Sequence, residues 1–200
     1  MDVADARPGS ASGPDRIRVG VVIAVPEPFG HELQEAREGY GDPDARAIPP
    51  HVTLLAPTDI DREAIDEVTA HLADVAWRHA PFTMHLRGSA TFRPVSPVVF
   101  VQVAQGIAEC EQLERAIRCG PLAVDVRFSY HPHVTVAHDV SEDALNRAFD
   151  EMAGFEASFA VEHFDLYIQK RAPGPAPTGG TAVWRHRQAF ALGETSGRRL

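Results

Sequence analysis

The chain has 200 residues, 44% of them hydrophobic and 24% charged. That is ordinary globular composition, with enough apolar material for one sizeable core or two small lobes sharing one. No long apolar run occurs, which argues against a membrane-spanning helix, and a formal net charge of −9 argues against DNA binding or general RNA coating, because a nucleic-acid backbone is captured by a basic face.

Residues 1–16 (MDVADARPGSASGPDR) are polar and rich in small side chains, and they read as a disordered leader. They lack the basic start and apolar middle of a signal peptide, so a cytoplasmic protein is expected. Ile17 to Val25 (IRVGVVIAV) reads as a buried strand, followed by a helix from Phe29 to about Arg37 and a Gly/Asp/Pro loop reaching Pro50. His51 to Ala56 is the next strand. Asp61 is expected to cap a helix carrying Ile65, Val68, Leu72 and Val75 on one face.

Strands from Phe82 to Phe92 and from Val98 to Val103 flank a turn-rich RPVSP segment. A helix from Ile107 to Arg118, with Ile107, Cys110, Leu113 and Ile117 inward, stops at Gly120 and Pro121. His133 to Ala137 is a strand, and Ser141 caps a helix carrying Leu145, Ala148, Phe149 and Met152. Phe155 to Gln169 reads as one long strand or two. A loop begins at Ala172, Ala182 to Leu192 forms the last strand, and residues 193–200 are a flexible tail. Cys110 and Cys119 are too few for a disulfide framework and match no zinc spacing.

The chain repeats itself. HVTLLAPTDIDREAIDEV from His51 aligns with HVTVAHDVSEDALNRAF from His133, each continuing into a Phe-led strand at Phe82 or Phe155 and then a further strand at Val98 or Ala182. The expected architecture of residues 17–192 is therefore an α+β domain of two pseudo-symmetric lobes, each a small mainly antiparallel sheet backed by helices, with a central cleft.

Alternation along a strand sends His51 and Thr53 to one face and Val52 and Leu54 to the core, and the same holds for His133 and Thr135 against Val134 and Val136. A pseudo-twofold axis would set one imidazole on each side of the cleft. Two imidazoles with ordinary pKa values near 6.5 supply a general base and a general acid, and two threonine hydroxyls supply donors for anionic oxygens. That is equipment for phosphoryl chemistry.

These residues, PPHVTLLAP and YHPHVTVAHD, resemble the paired H-x-T-x motifs of the two-histidine (2H) phosphoesterase superfamily, in particular its bacterial branch named for 2′-5′ RNA ligase and cyclic phosphodiesterase. The resemblance implies metal-independent hydrolysis of a 2′,3′-cyclic phosphate on a nucleotide or RNA end, or a related 2′-5′ ligation, with no cofactor. It makes His51 and His133 the catalytic pair, Thr53 and Thr135 the phosphate-holding hydroxyls, His133 the base and His51 the acid. Relatives often carry arginine three residues after the second threonine, where this chain has His138. That departure favours a small nucleotide over a long RNA. A monomer without DNA or membrane partners is expected.

Arg93, Arg127 and Lys170 lie at or near strand ends and are candidate anion contacts, and Tyr130 is the best placed aromatic for stacking on a base, ahead of Phe92 and Phe128. His131, His133 and His138 together raise an alternative, a metal-dependent hydrolase. A second alternative is a module that binds a nucleotide or RNA end without turnover.

Overall fold

The structure, a computed structural model, describes residues 16–125, 129–170 and 183–193. Most of the expected leader, Arg127, the loop beginning at Ala172 and the tail after Gly193 lie outside these residues, as does the side chain of Lys170.

The element order is β1 (Arg16–Ala24), α1 (Phe29–Tyr40), β2 (His51–Asp61), α2 (Ile65–Arg78), β3 (Phe82–Thr91), β4 (Val98–Gln105), α3 (Ile107–Ile117), β5 (His133–His138), α4 (Glu142–Glu151), β6 (Glu156–Val161), β7 (His163–Lys170) and β8 (Val183–Ala191). Short 3₁₀ turns precede α2, follow α3 and follow α4. The fold class is α+β.

The strands form one eight-stranded antiparallel sheet in the order β6-β3-β4-β5-β2-β1-β7-β8. The two small sheets expected from the sequence are thus continuous, joined between β2 and β5 at the single register pair Val52↔Val134. The unit boundaries also shift. Val98 was expected to begin the last strand of the first copy, but β4 sits beside β5 as β1 sits beside β2, so β4 opens the second copy. The strands that follow α2 and α4 cross over: β3 pairs with β4, and β7 pairs with β1. Each half of the sheet therefore contains strands from both copies. Local periodicity carries no information about that exchange.

The alternation in the motif strands is as expected, with Val52, Leu54, Val134 and Val136 at 0–1% exposure while His51, Thr53, His133 and Thr135 are half-buried on the other face. The valines and leucine join a core that also takes Val68, Leu72 and Val75 of α2, Cys110, Leu113 and Ile117 of α3, and Leu145 and Ala148 of α4. Ile107 and Phe149, expected inward, are exposed at 40% and 36% because they stand at the margins of their helices' buried faces.

Three boundaries differ from expectation for identifiable reasons. β2 runs on to Asp61 because β1 pairs with it as far as Arg16↔Asp61, and Arg18 holds the Asp59 carboxylate through two bonds of 2.8 and 2.9 Å. Asp61 is consequently a strand residue and makes no side-chain cap. Helix α1 continues to Tyr40, whose hydroxyl donates to Glu151 of α4 at 2.9 Å. Gly41, at φ 81°, then ends α1: its N–H reaches the Glu38 carbonyl, and the N–H of Asp42 returns to the Arg37 carbonyl. This reversal, which a residue with a side chain adopts only under strain, brings Asp42 back beside Arg37. Ser141 caps α4 as expected, its hydroxyl accepting from the Ala144 N–H at 3.3 Å.

Candidate active site

The antiparallel pairing of Val52 with Val134 sets His51 across from Thr135 and Thr53 across from His133. Two copies of one motif so paired are related by a local twofold between the valines. The two histidines become diagonal neighbours, their Cα atoms about 7–8 Å apart by ordinary sheet geometry, with a threonine beside each. That separation accommodates a phosphate group between them.

Both imidazoles are held in the same way. His51 Nδ1 lies 2.7 Å from the carbonyl oxygen of Pro49, and His133 Nδ1 lies 2.7 Å from the carbonyl oxygen of His131. A carbonyl only accepts, so each Nδ1 carries the hydrogen and each Nε2 is left for chemistry. The proline that precedes each histidine supports this geometry, since its fixed φ holds the chain extended as the strand begins.

The surroundings are not symmetric. A cavity of about 330 Å³ opens over His51, Thr53 and Thr135, with Gly20 and Val22 of β1, Arg37, Asp42, Asp44, His138 and Trp184 among its other walls. A larger depression of about 530 Å³ near the end of α1 shares only Asp42 and Ala47 with it and contains no motif residue. We therefore place the site at the smaller cavity. His133 stands beside that cavity, edge-on to Phe92 and packed against Phe100, with ring centroids 5.0 Å away in each case. The exposed ring of His131 lies nearly parallel to that of His133 at 6.2 Å.

Burial pushes the His51 ring down to about 4, against the pull of the Pro49 carbonyl and helped by the positive charge of Arg37. Burial also lowers His133, opposed by the His131 carbonyl and helped by the His131 ring. Both lowered rings consequently favour the neutral, basic form, and an anion between them would favour their protonation.

Arg93 is held by α4, donating to Glu142 at 3.0 Å and Asn146 at 2.8 Å, and it does not line the cavity. Tyr130 packs against the core with its hydroxyl donating to the backbone carbonyl of Thr53 at 2.9 Å. That contact clamps the motif strand and leaves the ring no free polar tip for a base. Arg127 and the Lys170 side chain are not among the described parts. Among the described residues no three His, Cys, Asp or Glu side chains converge to hold a metal ion. The His131, His133, His138 set fails because the first two rings stack while His138, at the far end of β5, faces Asp139 at 3.5 Å.

Arg37 and Trp184 were missed by sequence reasoning. Trp184 lines the cavity with its indole over Gly20, close enough that a Cβ there would be in van der Waals contact at 3.5 Å. Its backbone N–H donates to Ala47 at 3.3 Å. A lone tryptophan in a last strand carries no local signal of such a role. Arg37 had one weak signal, its place one turn before a Gly-Asp-Pro helix stop.

Comparison with known proteins places the chain in a family. Candidate phosphoesterases of Bacillus cytotoxicus and Bacillus licheniformis are 26% and 27% identical to the chain, covering 90% and 76% of it and 99% and 90% of their own lengths. The crystal structure of Escherichia coli LigT in its apo form matches with a TM-score of 0.65 at 22% identity, over 90% of this chain and 99% of that one. The complex of LigT with 3′-AMP matches with a TM-score of 0.62 at 23% identity, over 88% and 98%. At these identities the structural likeness establishes the fold. The family model of the 2′-5′ RNA ligase superfamily matches residues 25–173, which include both histidine motifs, and the chain belongs to that superfamily.

Proposed function

We propose that the protein is a metal-independent phosphoesterase that opens a 2′,3′-cyclic phosphate on a nucleotide or RNA end by two-histidine acid–base catalysis. The observation that carries this reading is the matched pair of Nδ1–carbonyl bonds, which leave one Nε2 on each of two adjacent strands with a threonine hydroxyl beside it. A general base and a general acid must reach opposite sides of one reacting phosphorus, and diagonal neighbours with Cα atoms about 7–8 Å apart do so. Thr53 and Thr135 donate to the non-bridging oxygens as charge builds on them, without adding negative charge of their own.

Water attacks phosphorus as one imidazole takes its proton. The ring oxygen departs with the bonding electron pair and receives a proton from the other imidazole. The names of related structures support a nucleotide substrate, since LigT has been crystallised with 3′-AMP, with ATP and with NADP+. The cavity volume is at the small end of small-molecule sites, which suits a single nucleotide.

The test is hydrolysis of the four nucleoside 2′,3′-cyclic monophosphates and of a short RNA ending in a cyclic phosphate, with and without EDTA. Turnover should resist EDTA and fall by about 10²–10⁴ in His51→Ala and in His133→Ala, the scale for losing a general acid or base. Normal turnover in His51→Ala would sink the assignment. Tight nucleotide binding with no turnover on any substrate would make the protein a binding module.

A further inference from the structure

The two motifs are nearly identical, but among the described residues one feature of the site has no counterpart across the twofold. Arg37 is 5% exposed, lines the cavity beside His51 and is fixed by two partners through all three of its guanidinium nitrogens. Its Nε and Nη2 donate to Asp42 Oδ2 at 3.3 and 3.2 Å, and its Nη1 donates to the Ile48 carbonyl at 3.3 Å. The turn at Gly41 makes the first contact rigid, because it folds Asp42 back onto the last turn of α1. The second contact holds the segment that presents the Pro49 carbonyl to His51 Nδ1. Asp42 is itself fully engaged, its other oxygen accepting the Asp44 N–H at 2.9 Å. Around His133 the described neighbours are the uncharged rings of Phe92 and Phe100 and the exposed, titratable ring of His131, which carries no fixed charge.

Building on the phosphoesterase reading, we infer that Arg37 is a positioning residue that breaks the symmetry of the pair, its fixed positive charge making His51 the base and leaving His133 the acid. This reverses the direction that resemblance to the family implied. A guanidinium cannot lose its proton, so it disfavours a second positive charge on His51 throughout the working range of pH. An imidazolium at His133 meets the rings of Phe92 and Phe100, which tolerate a cation at close range, and opposes only the His131 ring, which is exposed to screening by water and can shed its proton where Arg37 cannot.

The step balances. His51 Nε2 takes a proton from water as the water oxygen bonds to phosphorus. The bond from phosphorus to the departing ribose oxygen breaks with its electron pair, and that oxygen takes the proton from His133 Nε2. His51 ends protonated and His133 neutral, and exchange with solvent restores both. Among the described residues, the titratable and charged groups facing His51 are Arg37 from α1, Asp42 and Asp44 from the loop after it, and His133 and His138 from β5. Asp44 is exposed and its charge is screened by water, whereas Arg37 and Asp42 are buried and act at short range.

The test is an NMR titration of the imidazole carbon-bound protons between about pH 3.5 and 8 in the full-length protein, with His51 and His133 identified from their single substitutions. Arg37→Met should raise the His51 midpoint by about one pH unit or more and leave His133 nearly in place. Asp42→Asn removes the anion that partly offsets Arg37 and should move His51 the opposite way. Arg37→Lys should keep most of the wild-type midpoint. Opposite signs from two neighbouring substitutions cannot come from loosened packing, which shifts both the same way. On a cyclic phosphate substrate, His51→Ala should remove the acidic limb of the kcat/KM profile and His133→Ala the alkaline limb, and Arg37→Met should shift only the acidic limb. A His51 midpoint indifferent to both Arg37→Met and Asp42→Asn overturns the inference, as does loss of the alkaline limb in His51→Ala. Absence of any turnover together with the expected midpoint shifts overturns the phosphoesterase reading and the role assignment with it, while the hold of Arg37 on His51 stands.

Discussion

His51 and His133 share a motif but not an environment, and the difference should be measurable in stability before any substrate is added. The unfolded chain binds a proton at His51 near the ordinary value of 6.5, whereas the folded ring does so near 4. Between those values the unfolded state holds the extra proton, so folding is unpenalised above about pH 6.5 and weakens as the pH falls towards 4. His133 is lowered too and contributes with the same sign. Allowing for the open side of the ring, the His51 share of the loss should be about 1–2 kcal/mol, read as a falling urea midpoint. His51→Gln should flatten that part of the curve; a wild-type curve level from pH 6.5 to 4 would contradict the burial argument. The threonines make a separate prediction. Thr53→Val and Thr135→Val keep the strand's shape and its alternation, so each should leave folding intact and lower kcat/KM by about 2 kcal/mol, the worth of a hydrogen bond to a charged oxygen.

At the scale of elements, β2 and β5 carry both histidine–threonine pairs yet meet at one register pair, so other contacts must hold them in line. Tyr130 supplies one. It lies just before β5 and donates across to the Thr53 carbonyl on β2, from a ring buried enough that its hydroxyl is pushed well above the usual phenol range. Tyr130→Phe should cost about 1 kcal/mol of stability and lower turnover less than Thr53→Val does, because it loosens the strand without removing a donor to the phosphate. An unchanged urea midpoint would show that the clamp contributes nothing. The motif strands themselves were legible in the sequence because period-two alternation and a repeated His-x-Thr are local signals. The extension of β2 to Asp61 was not, since PTDID is too polar to read as strand and is held there by β1 and by Arg18. Tyr130 was legible as an aromatic near the motif, but the direction of its hydroxyl depends on a strand 77 residues away.

For the whole molecule, the repeat and the α+β class could be read from the chain, while the exchange of β3 and β7 between halves could not, because strand partners are chosen by the assembled sheet. The same assembly supplies the cation that the sequence appeared to lack. The place three residues after Thr135 holds His138, and Arg37 arrives instead from a helix that precedes the first motif. One buried, partly neutralised guanidinium beside the cavity, in a chain of net charge −9, is a poor grip for a polyanion. This contrast sets the dependence on salt. A protein that tracks an RNA backbone neutralises several phosphates, and its log affinity falls steeply with log salt, by nearly one unit of slope for each contact. Here the slope of log kcat/KM against log salt should be about −1 or shallower, and a cyclic-phosphate-ended decanucleotide should differ from the mononucleotide by no more than about threefold. A slope of about −3 or steeper confined to the oligonucleotide would place an extended RNA path on this surface and make the RNA end, rather than the free nucleotide, the substrate for which the cleft is built.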